Sequence, residues 1–197
     1  FDVFQAFYDG AENAEISNET ILEVSDNLHL IPATLDLVGA EPVLLNAVGK
    51  ELVLRDALET VEPRYDWIII DAPPSLGILT VNILAACHGV LVPMQCEFYA
   101  LEGLSQLMKT IDVVRRRINP RLEIAKVLLT MYDPRNKLTQ QVSDEVNAFF
   151  GEKVSKVAIP RNVRLSEAPG FGSPAVNLFP ESKGADAYMR FVAEVLA

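Results

Sequence analysis

Asp71 closes the apolar run Trp67-Ile68-Ile69-Ile70 and is followed at once by Ala72-Pro73-Pro74. A carboxylate at the end of a buried strand can hold a magnesium ion directly or through water, and the two prolines fix the backbone that leaves it. The same residues also suit a tight turn or a helix-capping aspartate, so position alone leaves both uses open. Three other polar strand ends could carry chemistry: Gln95-Cys96-Glu97, Thr130 to Asp133 and Pro160 to Arg164. Ligands of open parallel sheets sit outside the carboxyl ends of the strands, which is why these residues matter. Cys87 and Cys96 flank an apolar run and read as core thiols. His29 and His88 are each isolated and read as structural.

The elements that must position these groups follow from the apolar runs. Leu28 to Ala33, Trp67 to Asp71, Gly89 to Met94, Ile124 to Met131 and Val154 to Ile159 predict strands. Their apolar character is continuous rather than alternating, as a parallel sheet covered on both faces requires. Helical patterns lie between and beyond them, over 36–62 with a break near Gly49, then about 77–87, 100–117, 139–150 and 184–197; residues 1–8 also carry helix-like spacing. Ser75 is a candidate cap, and Leu101, Leu104, Leu107, Met108 and Ile111 form a core-facing stripe. This rhythm predicts an α/β fold, a doubly wound, mostly parallel sheet with helices on both faces. With no repeat, low-complexity stretch or Gly/Ser linker, residues 1–197 read as a single domain.

Composition narrows the functional classes. Half of the residues are hydrophobic and 22% are charged, which excludes a disordered chain. No run of about 18 uncharged apolar residues is present, so no membrane helix is expected. Two cysteines make no disulfide scaffold and point to a reducing, intracellular setting. The net charge of −10 at first argues against a nucleic-acid partner. Its distribution reverses that argument: residues 1–108 carry 17 acidic and 3 basic side chains, whereas residues 109–164 carry 12 basic and 6 acidic. A polyanion senses the local sign, within a Debye length of roughly 8–10 Å. A solvated face gives the same count, and Arg115 to Arg117 in particular suit a helix end offsetting its dipole.

The motifs then combine into a specific resemblance. Tyr65-Asp66-Trp67-Ile68-Ile69-Ile70-Asp71-Ala72-Pro73-Pro74-Ser75-Leu76 resembles the Walker B segment of ParA/Soj-type partition ATPases, a deviant-Walker branch of the P-loop NTPases. Val92-Pro93-Met94-Gln95, Tyr99-Ala100-Leu101-Glu102-Gly103 and Leu129-Thr130-Met131-Tyr132-Asp133 match in the same order, and Leu30-Ile31-Pro32-Ala33 fits the connecting region. Ile159-Pro160-Arg161-Asn162-Val163-Arg164-Leu165-Ser166-Glu167-Ala168-Pro169 is the most distinctive match, and the resemblance covers essentially the whole chain. It implies an ATP hydrolase in which Asp71 is the catalytic and metal-supporting aspartate, with ATP and Mg2+ as cofactors. Thr130, Met131, Pro160, Arg161 and Asn162 would line the adenine, although Pro160 and Asn162 also suit plain turn chemistry. Arg135 and Arg164 match positions of non-specific DNA binding, with Lys137 and Lys126 as additions. In the family, ATP between two subunits supports a homodimer on DNA, and a ParB-type centromere-binding partner stimulates hydrolysis. The location implied is cytoplasmic and nucleoid-associated, away from the membrane.

One departure stands against these matches. The family opens on a glycine-rich phosphate loop, yet no G-x-x-x-x-G-K-[ST] pattern occurs here and the only Gly-Lys is Gly49-Lys50, followed by Glu51. The chain starts on Phe1, so the expectation is that it begins partway through a longer protein, with the phosphate loop and the first strands upstream. Two other readings remain. A MinD-like membrane-associated ATPase needs a basic amphipathic C-terminal helix, whereas residues 188–197 hold one basic and one acidic side chain. A non-catalytic binding module is the reading if the truncation is natural.

Overall fold

Residues 16, 18–97 and 100–197 are described by a computed structural model; the pattern at residues 1–8 and Tyr99 of the family motif lie outside them. The chain divides into two units, residues up to His88 with 109–122, and residues 89–108 with 123–197.

In the first unit a hairpin pairs β1 (Leu22–Ser25) antiparallel to β2 (Leu28–Leu30), with Leu22 opposite Leu30 and Glu23 opposite His29. The predicted strand over 28–33 is thus shorter, and its partner was not foreseen. The helical pattern over 36–62 is built in pieces: a 3-10 turn Leu35–Gly39, α1 (Ala40–Asn46), α2 (Val53–Leu58) and a turn Glu62–Arg64. The break falls at Gly49, whose φ of +68° is open to a residue without a Cβ. Helix α3 (Ile78–Ala86) packs Leu79 against Ala40, Leu44 and Val53. Asn82, on α3, is fully buried. Its Oδ1 accepts from Leu54 N–H at 3.1 Å, and its Nδ2 donates to the carbonyls of Lys50 (2.7 Å) and Ile78 (3.0 Å), so the amide is matched on both sides. Helix α3 starts at Gly77 rather than on a Ser75 cap; Ser75 instead accepts at its carbonyl from the Thr80 hydroxyl.

Trp67 to Asp71 departs from expectation most. The segment is not a strand, and Ile69 is 86% exposed. A strand exists through its ladder, and no described strand pairs with this one; apolar content alone does not assemble it.

The second unit holds the parallel pair. β3 (Gly89–Gln95) lies beside β4 (Glu123–Thr130), in register from Gly89–Glu123 to Gln95–Thr130 with one slip after Val90. Residues 154–160 run along the other edge of β4 without becoming a full strand. Bridges join Val127 to Val154 and Tyr132 to Pro160, while Ser155 and Ile159 donate to the carbonyls of Val127 and Leu129, both at 2.8 Å. Helix α4 (Ala100–Arg117), whose residues from 109 on belong to the first unit, buries Leu104 and Ile111 but only half-buries Leu101, Leu107 and Met108. Further helices are α5 (Lys137–Phe150), α6 (Val163–Glu167), α7 (Ala175–Leu178) and α8 (Lys183–Val195). The core of this unit is Leu128, Val157 and Ile159 against Ala187 and Phe191 of α8. Gly184 permits that approach, because a Cβ there would lie 2.7 Å from Leu165 Cγ. No helix among the described residues is long and apolar enough to cross a membrane.

Candidate functional site

The carboxyl end of β4 is where the sequence places a ligand, and its backbone is unusual there. Met131 has φ +52°, the only positive φ at a non-glycine among the described residues. Tyr132 N–H then donates to the Ile159 carbonyl at 3.0 Å, and Arg161 N–H to the Tyr132 carbonyl at 3.4 Å. The loop after β4 and the loop 160–162 therefore lie side by side. Thr130, Met131, Pro160, Arg161 and Asn162, all candidates for lining a base, are brought to one place. A left-handed, partly exposed Met131 is the kind of backbone strain that gathers at ligand sites. Asn162 also caps α6, its Oδ1 accepting from Arg164 N–H at 2.9 Å. The turn-forming use foreseen for it is thus present in the structure.

The basic side chains surround these loops. Arg135 is 88% exposed, and its Nε and Nη2 donate to the two carboxylate oxygens of Asp133 at 3.0 and 2.9 Å. The Arg135 N–H adds a third bond to Asp133, at 3.0 Å. These hydrogen bonds from Arg135 hold the Asp133 carboxyl at about 2, and Arg161 adds an electrostatic pull. Arg164 pairs with Glu167 at 2.8 Å and lies 4.9 Å from the centroid of the Phe179 ring. Lys137 is exposed at the first position of α5, whose Asn136 cap accepts from Leu138 N–H at 2.9 Å. Lys126 is elsewhere: it is mostly buried and pairs with Glu194 of α8 at 2.9 Å, so it is a structural lysine rather than part of this surface. Arg115 pairs with Asp112 on its own helix, in keeping with a solvated helix end.

Asp71 belongs to the first unit. It is exposed and makes no hydrogen bond or ion pair among the described residues, so its carboxylate can receive a ligand. No group of three or more His, Cys, Asp or Glu among the described residues could hold a metal. That donor set fits magnesium only in its usual mode with nucleotides, one carboxylate with water and phosphate oxygens completing the shell.

Cys96 is buried and Cys87 half-buried, and burial raises both thiols. His29 accepts or donates at 2.7 Å with the Tyr65 hydroxyl, and His88 is exposed. Asp133 is read from the sequence only as part of a strand end; its pairing with Arg135, that of Glu167 with Arg164, and the Phe179 ring beside Arg164 were missed, although Asp-x-Arg and Arg-x-x-Glu are spacings that pair locally.

Known proteins resemble this chain in sequence and in fold. A family model described as an AAA domain matches residues 2–124. The sporulation initiation inhibitor protein Soj of Bacillus subtilis is 49% identical over 195 residues, 99% of this chain and 76% of that protein. The chromosome partitioning protein ParA of Myxococcus xanthus is 51% identical over 86% of this chain, which spans only 60% of its length. Among solved structures, cobyrinic acid a,c-diamide synthase from Mycobacterium smegmatis with bound ADP and magnesium superposes with TM-score 0.81 at 33% identity, over all of this chain and 71% of that one. A plasmid partition protein of Borrelia burgdorferi shares the fold, with TM-score 0.80 at 22% identity over all of this chain and 73% of that one. The fold is that of the P-loop NTPases, and the chain belongs to the ParA/Soj-type family of chromosome-partitioning ATPases.

Proposed function

We propose that this chain works in a protein that moves DNA by an ATP-driven cycle, binding DNA non-specifically as a dimer with ATP between its two copies. The observation that carries this reading is the joining of the two strand-end loops. It groups Met131 with Pro160–Asn162 and leaves Arg135, Lys137, Arg161 and Arg164 at the surface around them. The names of the Soj and ParA relatives, a sporulation initiation inhibitor and a chromosome partitioning protein, and the ADP and magnesium held by a structural neighbour, support the same reading. Asp71 would hold the magnesium, which when bound offsets phosphate charge during attack of water on the terminal phosphate. Thr130, Met131 and the 160–162 loop would hold the base. Arg135 and Arg164, with Lys137, would meet the DNA backbone without reading sequence. A ParB-type protein would be the stimulating partner, and the 197 residues would act as one domain in the cytoplasm, on the nucleoid.

The test uses the protein expressed from its own gene. Duplexes of unrelated sequence should bind equally, in an ATP- and magnesium-dependent and salt-sensitive way, and sedimentation should show a nucleotide-dependent dimer. Binding that ignores nucleotide, or that is confined to one sequence, overturns the reading.

A further inference from the structure

Both arginines proposed to meet DNA are already occupied. Asp133 takes the Nε–Nη2 edge of Arg135 with both carboxylate oxygens, and Glu167 takes Nη1 of Arg164 at 2.8 Å. An arginine has five N–H donors, and the edge that meets a carboxylate in this way is one that would meet a phosphate. We propose that Asp133 and Glu167 are resident counter-anions of the phosphate-binding surface, which hold its affinity for a polyanion below what the arginines alone would give. This rests on the DNA-binding reading above.

Three observations support it. First, each pair is local, Asp133 with Arg135 two residues on and Glu167 with Arg164 one helical turn back, so the carboxylate stays beside its arginine whatever else moves. Second, Asp133 is drawn to Arg161 as well as Arg135, so a single carboxylate offsets charge on both adjoining loops. Third, Asp133 is held far below neutrality, so it is ionised at any pH where the protein would meet DNA. A phosphate then has two options. It can approach the outer edge of a neutralised arginine, or displace a carboxylate that remains nearby as a like charge. Solvent-exposed pairs of this kind are worth a factor of only about one and a half to five, so displacement is feasible but lowers affinity. A surface that has to let go of DNA in each cycle gains from such attenuation.

The experiment compares Asp133→Asn, Glu167→Gln and the double variant with the unaltered protein, using duplex DNA of unrelated sequence over a range of salt. The amides keep the shape; Asn at 133 can still accept from the Arg135 N–H. The double variant should bind about three- to ten-fold more tightly and show a steeper salt dependence, by up to about one per arginine released. Asp144→Asn is the control, since Asp144 is an exposed acid of α5 with no ion pair among the described residues. If it tightens binding as much, general charge explains the effect and the proposal falls. Unchanged or weaker binding by the double variant overturns it too, weaker binding meaning that the carboxylates position the arginines. Arg135→Ala and Arg164→Ala separate the two readings. If these variants lose affinity while the amides gain none, only the counter-anion role fails; if they lose nothing, the DNA reading fails and the proposal with it.

Discussion

Arg135 and Arg164 are held differently, and the difference decides what each contributes. Arg135 is almost fully exposed and, among the described residues, is steadied by Asp133, whereas Arg164 is about half exposed, between Glu167 and the Phe179 ring. If both meet phosphate, Arg135→Ala and Arg164→Ala should each weaken binding to unrelated duplexes alike and lower the salt slope by about one. Titrations at several salt concentrations check this, and a loss confined to one sequence contradicts it. Arg164→Lys should recover little, because an ammonium replaces neither the forked donor nor the ring contact. Glu194 carries a different kind of prediction. Burial pushes its carboxyl up, but hydrogen bonds from Lys126, the Ser155 hydroxyl and the Lys156 N–H outweigh this and hold it below its usual 4.5. A carboxyl lowered on folding contributes stability that is full above its unfolded pKa and lost as pH falls through the folded one. Glu194→Gln should therefore cost about 1–3 kcal/mol in denaturant unfolding at pH 7. The gap to the unaltered protein should close as the pH falls through the usual carboxylate range and below it; a gap constant into acid would place its origin in packing rather than charge.

At the scale of elements, what holds the second unit together is the fit of α8 onto β4 and residues 157–159. Ser182 caps the helix by accepting from Ala185 N–H at 3.2 Å, and Gly184 in the first turn meets Leu165. Three Leu165 carbons lie between 2.7 and 3.1 Å from the Cβ that alanine would add, so Gly184→Ala should cost about 1–3 kcal/mol despite its better helix propensity. Thermal or denaturant unfolding measures it, and a stabilised variant would show that Leu165 moves aside freely. The same elements show what could be read from residues alone. β3, β4, α4 and α5 lie close to their expected bounds, because each has a continuous apolar run or a clear helical period. Trp67 to Asp71 has an equally apolar run yet forms no strand, since pairing depends on a partner that the run does not name. Residues 154–160 fall between, bonded to β4 only at intervals. The candidate site was legible as strand ends and as arginines in a basic segment. The left-handed Met131 and the carboxylates on both arginines were not, since they arise from how the chain turns after β4 and from side-chain pairing.

At the scale of the whole molecule, two properties of these 197 residues pull in one direction. The sequence contains no glycine-rich phosphate loop, so it lacks the backbone N–H groups and the lysine with which such a loop cradles the phosphates of ATP. The first unit also leaves large apolar side chains in water: Trp67 and Ile69, and all four leucine and valine side chains of the hairpin strands. Contiguous exposed apolar surface drives association. The 197-residue chain on its own should therefore release no phosphate from ATP and magnesium, and should scatter light as oligomers rather than run as a monomer. Phosphate assay and multi-angle scattering read the two outcomes on one sample, and a monomer with magnesium-dependent turnover overturns both. Ile69→Ser separates their causes. Ile69 is 86% exposed, so the change removes apolar surface without opening a core cavity. A rise in the monomer fraction with turnover still absent assigns association to exposed apolar surface and inactivity to the missing phosphate cradle. Were turnover to appear with the monomer, aggregation alone would have been hiding an active site, and the glycine loop would not be required for the chemistry.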